Sequence, residues 1–256
     1  MSKTLIIEIP YGGLGDHLFH SHLPRIAKET GAYKKVYISS RSLYRHTDNK
    51  KLVWDINPFI DGFIDLPGVS FDFKIAEQYF FVNSNDEVNL LDIIMLHYGL
   101  DDKIRWHEPD IYYKPKFRYE YNKVIFDPNY LSWVGEITKK GMMTFIKKRH
   151  YKFDYIMKIR SEKALLIPKK QDQFFDTIDL FDFCDLIYSA KQLYCLTSGT
   201  ATIAAGIGKG AFVFYGNDQS QFYQHSKLHT YIKVPQTPIY IIKQYLYKKR
   251  KKFLGR

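Results

Sequence analysis

Two stretches of the chain combine residue types that could do chemistry. The first is Tyr11-Gly12-Gly13-Leu14-Gly15-Asp16-His17, directly after an apolar run. Glycines at a strand-to-helix turn let a backbone approach a ligand closely and leave helix N–H groups free for an anion. Asp16 follows the turn at a helix N-terminus, where the dipole favours an ionised carboxylate. Such a group could take a proton from a hydroxyl as general base, or it could cap the helix. His17 is the second candidate base, because neutral imidazole accepts protons near pH 7. His17, His20 and His22 form an H-x-x-H-x-H cluster, but on a helix only the first two share a face. With no H-E-x-x-H and no cysteine partner beside them, no metal site is expected.

The second stretch runs from Asp179 to Gly216 and reads helix, connection, buried strand, Thr197-Ser198-Gly199-Thr200, small-residue helix, strand. Ser198, Gly199 and Thr200 then stand at a helix N-terminus, their hydroxyls and N–H groups aimed into a cleft. That suits a diphosphate. The helix Ala201-Thr202-Ile203-Ala204-Ala205-Gly206 is almost free of side chains, so it can lie close to a sheet.

The elements that must position these residues alternate between short apolar runs and helical patterns, which predicts βαβ units and a mainly parallel sheet. Thr4–Ile9 and Val36–Ser39 read as strands, with a helix over 14–30 that Pro24 interrupts. Asp86–Tyr98 reads as a helix capped at Asn85 or Asp86 and stopped at Gly99. A polar, proline-containing connection covers 109–122. Val124–Phe126 restarts a strand, and a helix is expected from about Ser132. Ala164–Ile167, Leu193–Leu196 and Ala211–Tyr215 read as strands, and Asp179–Ala190 and Gly199–Gly206 as helices. Two α/β halves follow, 1–112 and 123–256, joined by 113–122. Ligands of such folds sit at the carboxyl ends of strands, which brings in Pro128, Tyr215 and Gly216.

With 256 residues, 45% hydrophobic and 25% charged, the chain can bury a core. Its uncharged apolar runs are too short for a membrane-spanning helix. The start has neither the apolar length nor the cleavage site of a signal peptide, and only Cys184 and Cys195 occur, so a reduced, cytoplasmic protein is expected. The net charge of +11 calls for an anionic partner: nucleic acid, anionic lipid or a phosphorylated ligand. No RNP-like sequence, Cys/His finger or helix-turn-helix supports nucleic acid. Between Ile242 and Arg256 stand seven Lys or Arg and no acid, interleaved with aromatic and aliphatic residues, which suggests contact with an anionic inner-membrane surface. A nicotinamide-dependent oxidoreductase would need G-x-G-x-x-G, but Leu18 stands in the third glycine's place. That class and a non-enzymatic anion-binding module remain the alternatives.

Both stretches resemble bacterial GT-B glycosyltransferases, particularly the heptosyltransferase-like family nine of lipopolysaccharide assembly. That family opens with a strand and a Gly-x-Gly-Asp turn, matched by Gly13-Leu14-Gly15-Asp16, and Arg25 falls where its first helix carries an arginine. Ser198-Gly199, Ala204-Ala205 and Gly208 match its second domain, and Asn89–Leu100 resembles the helix that closes the first. Ala211 replaces a usual proline, and Asp127-Pro128-Asn129 stands where the family has a basic motif. The opening also resembles bacterial fucosyltransferases of another family, whose His-x-Arg-Arg-Gly signature is missing here. The first resemblance implies two Rossmann-like domains facing a cleft and a sugar moved from a nucleotide-activated donor to a hydroxyl of a surface glycan or glycolipid. It implies Asp16 as base, and Ser198, Gly199 and Thr200 on the donor diphosphate. Gly12, Gly13, Gly15, Pro128, Lys169, Tyr215 and Gly216 complete the donor side, and His20 and Arg25 face the acceptor. Inverting chemistry without a metal cofactor is expected by the same resemblance. Lys139, Lys140, Arg160 and Lys170 are further candidates for phosphate.

Overall fold

A computed structural model describes residues 3–74, 88–160, 162–170 and 172–235. The chain forms two parallel sheets. The first has the order β1 (Thr4–Ile7), β2 (Lys35–Ser39), β3 (Gly62–Ile64), with Leu5 opposite Val36 and Ile38 opposite Phe63. The helix expected over 14–30 is two helices, α1 (Leu14–Leu18) and α2 (Leu23–Glu29). Pro24 lies in the first turn of α2, where its missing N–H is not needed. After β2, α3 (Thr47–Lys50) runs into a π-helical turn, Lys51–Asp55, that buries Trp54 completely.

α4 (Leu90–His97) begins at a capping box. Asn89 Oδ1 accepts the Asp92 N–H at 3.0 Å, and Asp92 Oδ2 accepts the Asn89 N–H at 2.9 Å. The cap is therefore Asn89, while Asn85 and Asp86 lie outside the described residues. Gly99, at φ +70°, ends the helix as expected.

The second sheet has six parallel strands in the order β6-β5-β4-β7-β8-β9. These are β4 (Val124–Phe126), β5 (Tyr155–Met157), β6 (Phe174–Phe175), β7 (Gln192–Leu196), β8 (Phe212–Tyr215) and β9 (Thr230–Lys233). Three helices accompany it: α5 (Lys139–Lys148), α6 (Leu180–Ser189) and α7 (Gly199–Gly206). Alternation along β7 shows both faces covered: Leu193 and Cys195 join a core shared with the first sheet, whereas Tyr194 and Leu196 join Phe126, Phe145 and Phe214 on the far side.

Two expectations fail here. The helix placed from Ser132 starts at Lys139, capped by Thr138, because residues 134–136 bond to the chain after β8: Gly216 N–H to Val134 O at 2.8 Å and Glu136 N–H to Asn217 O at 2.7 Å. Ala164–Ile167 forms no strand. Residues 164–166 are buried, but their place in the sheet is taken by β5 and β6.

The connection over 109–122 is strapped along α6. Tyr113 Oη and Lys116 N donate to Asp185 Oδ1, each at 2.8 Å, and Tyr121 Oη donates to Asp182 Oδ1 at 2.8 Å. Cys184 and Cys195 are buried thiols. Among the described residues no helix is long and apolar enough to cross a membrane, and the basic stretch 242–256 lies outside them.

Candidate active site

The two glycine motifs, 184 residues apart between Gly15 and Gly199, meet. A Cβ placed on Gly15 would lie 3.8 Å from Gly199 Cα, and one on Gly199 would lie 3.6 Å from the Gly15 nitrogen. The start of α1 thus abuts the start of α7, at ordinary van der Waals distance. Asp16 and Ser198 are the polar neighbours of that contact.

Asp16 Oδ2 accepts the Gly13 N–H at 3.1 Å. Gly13 has no room for a side chain: its Cβ would stand 2.6 Å from that oxygen. No other hydrogen bond reaches the carboxylate among the described residues, so its second oxygen can receive a substrate hydroxyl. Burial pushes the Asp16 pKa up to about 6, against the opposing pull of the Gly13 N–H and the Arg45 guanidinium. A carboxylate tuned towards neutrality suits a general base better than one left near 4.

Ser198 occupies the N-cap of α7 without capping it. Its extended backbone (φ −141°, ψ 178°) is that of a cap, yet its hydroxyl makes no cap bond, and Oγ is buried without any partner. A buried hydroxyl left unsatisfied costs about 1–3 kcal/mol; beside it the Ala201 N–H is already bonded to Ser198 O at 3.0 Å, which leaves the Gly199 and Thr200 amides at the helix start as donors. On either side of it the hydroxyls are engaged. Thr197 Oγ1 donates to Gln219 Oε1 at 2.8 Å, and Thr200 Oγ1 bonds to Asp127 Oδ2 at 2.5 Å. Thr200 therefore does not aim its hydroxyl into the cleft; it anchors the helix start to the end of β4.

No protein-family model matches this sequence, and no curated protein does. Solved structures do match. The glycosyl transferase family 9 protein of Veillonella parvula superposes with a TM-score of 0.53 at 10% identity, covering 96% of this chain and 89% of that one. TibC, an iron-containing dodecameric glycosyltransferase of enterotoxigenic E. coli, gives 0.57 at 14% identity over 90% of this chain and 62% of its own. The E. coli heptosyltransferase WaaC with ADP gives 0.52 at 8% identity, covering 96% and 99%. The fold is GT-B.

Within this GT-B frame several expected site residues turn out to be structural. His17 is no base: Trp54 Nε1–H donates to its Nδ1 at 2.9 Å and its Nε2 bonds to Leu43 O at 2.7 Å. Both ring nitrogens are engaged, and burial lowers its pKa to about 4. His20 does not face an acceptor either. It is fully buried among Phe71, Phe73 and Tyr98, with Nδ1 on Asp16 O at 2.7 Å, so it braces the glycine turn from behind. Arg25 pairs with Asp110 at 2.8 Å and Glu29 at 3.1 Å, tying α2 to the connection. Gly216 packs on Gly135, where a Cβ on either would fall 2.6–2.7 Å from the other strand's backbone or from Ile137. Pro128 is buried and accepts the Leu165 N–H through its carbonyl, whereas Lys169 is exposed and Tyr215 half-buried.

Gly12 serves the turn through its carbonyl, which accepts Arg45 N–H at 3.0 Å and Asn49 Nδ2–H at 3.3 Å. Arg45 itself was not singled out by the sequence, because only the β1–β2 pairing brings the chain after β2 to the glycine turn. Of the loose phosphate candidates, Arg160 is the one beside the β4 end: its N–H donates to Asn129 Oδ1 at 2.9 Å, and its guanidinium pairs with Asp176 at 3.2 Å. Lys139, Lys140 and Lys170 are exposed. TibC is an iron protein, but among the described residues no group of three His, Cys, Asp or Glu is placed to hold a metal ion.

Proposed function

We propose that the chain is a glycosyltransferase that moves a sugar from a nucleotide-activated donor to a hydroxyl of a growing lipopolysaccharide, capsule or other surface glycan. The observation that carries this reading is the buried, unpartnered Ser198 hydroxyl at the start of α7, set against the Asp16 turn through the Gly15–Gly199 contact. Asp16 takes the proton of the acceptor hydroxyl as its oxygen attacks the sugar's anomeric carbon. The Ser198 hydroxyl and the first amides of α7 neutralise the departing diphosphate. Attack from the side opposite the leaving group inverts the anomeric centre. Residues 1–112 then carry the acceptor side and 123–256 the donor side, with the basic stretch 242–256 serving contact with an anionic membrane. An oxidoreductase is disfavoured by Leu18, which is fully buried in the core where a dinucleotide turn requires its third glycine.

The test is a thermal-shift panel of ADP, GDP, UDP, CDP, CMP and NAD on the wild type and Ser198→Ala. One nucleoside phosphate is expected to raise the melting temperature of the wild type and to act much less on the variant; at 100 times its dissociation constant a ligand adds about 2.7 kcal/mol. Stabilisation by NAD alone, or equal stabilisation of both proteins, would remove the donor site from Ser198.

A further inference from the structure

The loop that leaves β4 is fastened to the Ser-Gly-Thr turn at both ends. At its start, Asp127 holds Thr200 and also accepts the Asn129 N–H at 3.0 Å and Asn129 Nδ2–H at 2.8 Å. At its far end, Gln219 accepts the Thr197 hydroxyl and donates from Nε2 to Trp133 O at 3.2 Å. Ser198 lies in sequence between the two tied threonines, so residues 129–133 are tethered at both ends to the turn that carries its hydroxyl. Beyond Trp133 the loop is locked further. Val134 O and Glu136 N–H pair with the chain after β8, and the Gly135–Gly216 contact leaves no room for a side chain on either residue.

On this fixed backbone stand large apolar side chains left in solvent: Trp133 is 51% exposed and Leu131 54%. Ile167, 48% exposed, follows the Leu165 N–H bond to Pro128 O that brings its segment to the loop. Lys163 Nζ holds Leu131 O at 2.9 Å. An indole kept half in water on a rigid loop, one hydrogen-bonded residue from a phosphate-type site, has the size and chemistry to stack on a flat heterocycle. We infer that Trp133 is the platform for the nucleobase of the donor, with Gln219 as the positioning residue that couples it to the Ser-Gly-Thr turn. This deepens the glycosyltransferase reading and rests on it. The occupant is the base of a nucleoside diphosphate, because the phosphate end is fixed at Ser198 and a ring face is what the loop offers.

Trp133 also supplies the readout: of the chain's three tryptophans Trp54 is fully buried and Trp106 is half-buried with Lys227 Nζ 4.3 Å from its ring centre, which leaves Trp133 as the exposed one. Titration with the nucleoside diphosphate found by the thermal panel is expected to quench the tryptophan fluorescence of the wild type. Trp133→Ala is expected to lose that quench and at least fivefold in affinity, the size of one base–aromatic stack. Trp133→Phe is expected to keep most of the affinity. Inorganic pyrophosphate, which has no base, is expected to bind wild type and Trp133→Ala alike, which also shows that the variant is folded. Nucleotide affinity unchanged in Trp133→Ala, with Ser198→Ala still impaired, overturns the platform and leaves the donor site standing. Equal losses for nucleotide and pyrophosphate in Trp133→Ala also overturn it. Failure of every nucleotide to bind the wild type overturns the donor site itself.

Discussion

Replacing Asp16 by asparagine is expected to lower the rate of sugar transfer by a factor of about 10²–10⁴ while leaving the fold and the donor affinity in place. Asparagine is isosteric and its side-chain oxygen can keep the 3.1 Å bond from the Gly13 N–H, so the turn survives. What disappears is the proton acceptor. Because burial raises the Asp16 pKa to about 6, the wild-type rate is expected to climb with pH through that value, as the carboxylate ionises, and then level off. The variant is expected to lose this limb of the profile. A steady-state comparison from pH 5 to 8, with the melting temperature as control, checks both statements. Wild-type turnover by the asparagine variant would remove Asp16 from the chemistry.

Acidification from pH 6.5 to 5 is expected to destabilise the protein, because the buried imidazoles that gain a proton on unfolding outnumber the buried carboxyls that lose one. His17, His20, His22, His225 and His229 are buried, and burial lowers the pKa of each, to about 4 for His17 and His20 and about 3 for His225. The unfolded chain protonates all five near pH 6.5, whereas the folded chain does so only well below. Below 6.5 the unfolded state therefore binds more protons, and stability falls with pH. Three carboxyls act in the opposite sense. Burial raises Asp16, Glu108 (to about 7) and Asp127, so the folded state holds protons there that the unfolded state releases. Five imidazoles stand against three carboxyls, so the balance is a net proton uptake on unfolding, each net proton being worth about 1.4 kcal/mol per pH unit. His107, held between Asp92 at 2.6 Å and Asp102 at 3.0 Å, has a raised pKa. Its contribution is complete below 6.5 and is lost only on the alkaline side. Against a total of about 5–15 kcal/mol, the urea midpoint is expected to drop steeply from pH 6.5 to 5; a flat midpoint would contradict the assignment of these histidines as buried and neutral.

The parts legible in the sequence were those governed by local rules. The Gly-x-Gly-Asp turn, the helix over 179–190 and the Gly199–Gly206 helix with the strands flanking it follow from apolar runs and small residues, and the structure has them. The short strands β3, β5, β6 and β9 escaped because parallel pairing is decided by distant partners, which no local pattern records. The site divides in the same way. That Ser198 and Asp16 belong together is visible only as a resemblance in sequence, and as a Gly15–Gly199 contact in space. His17, His20 and Arg25 misled because a polar residue next to a functional turn reads the same whether its ring faces a ligand or a carbonyl. The partners of His17, Leu43 and Trp54, lie 26 and 37 residues away, that of Arg25, Asp110, lies 85 away, and the rings packed on His20 belong to residues 71, 73 and 98. Gln219 and Trp133 gave no signal at all, since neither is part of a motif and their coupling is 86 residues long.

The deciding measurement is a crystal structure with the nucleoside diphosphate that stabilises the protein. The expected result places phosphate oxygens about 2.7–3.1 Å from Ser198 Oγ and the first amides of α7, with the terminal phosphate on the side of the Asp16 carboxylate. A nucleotide bound elsewhere, with the Ser198 hydroxyl still unpartnered, would contradict the donor site and with it the role given to Asp16.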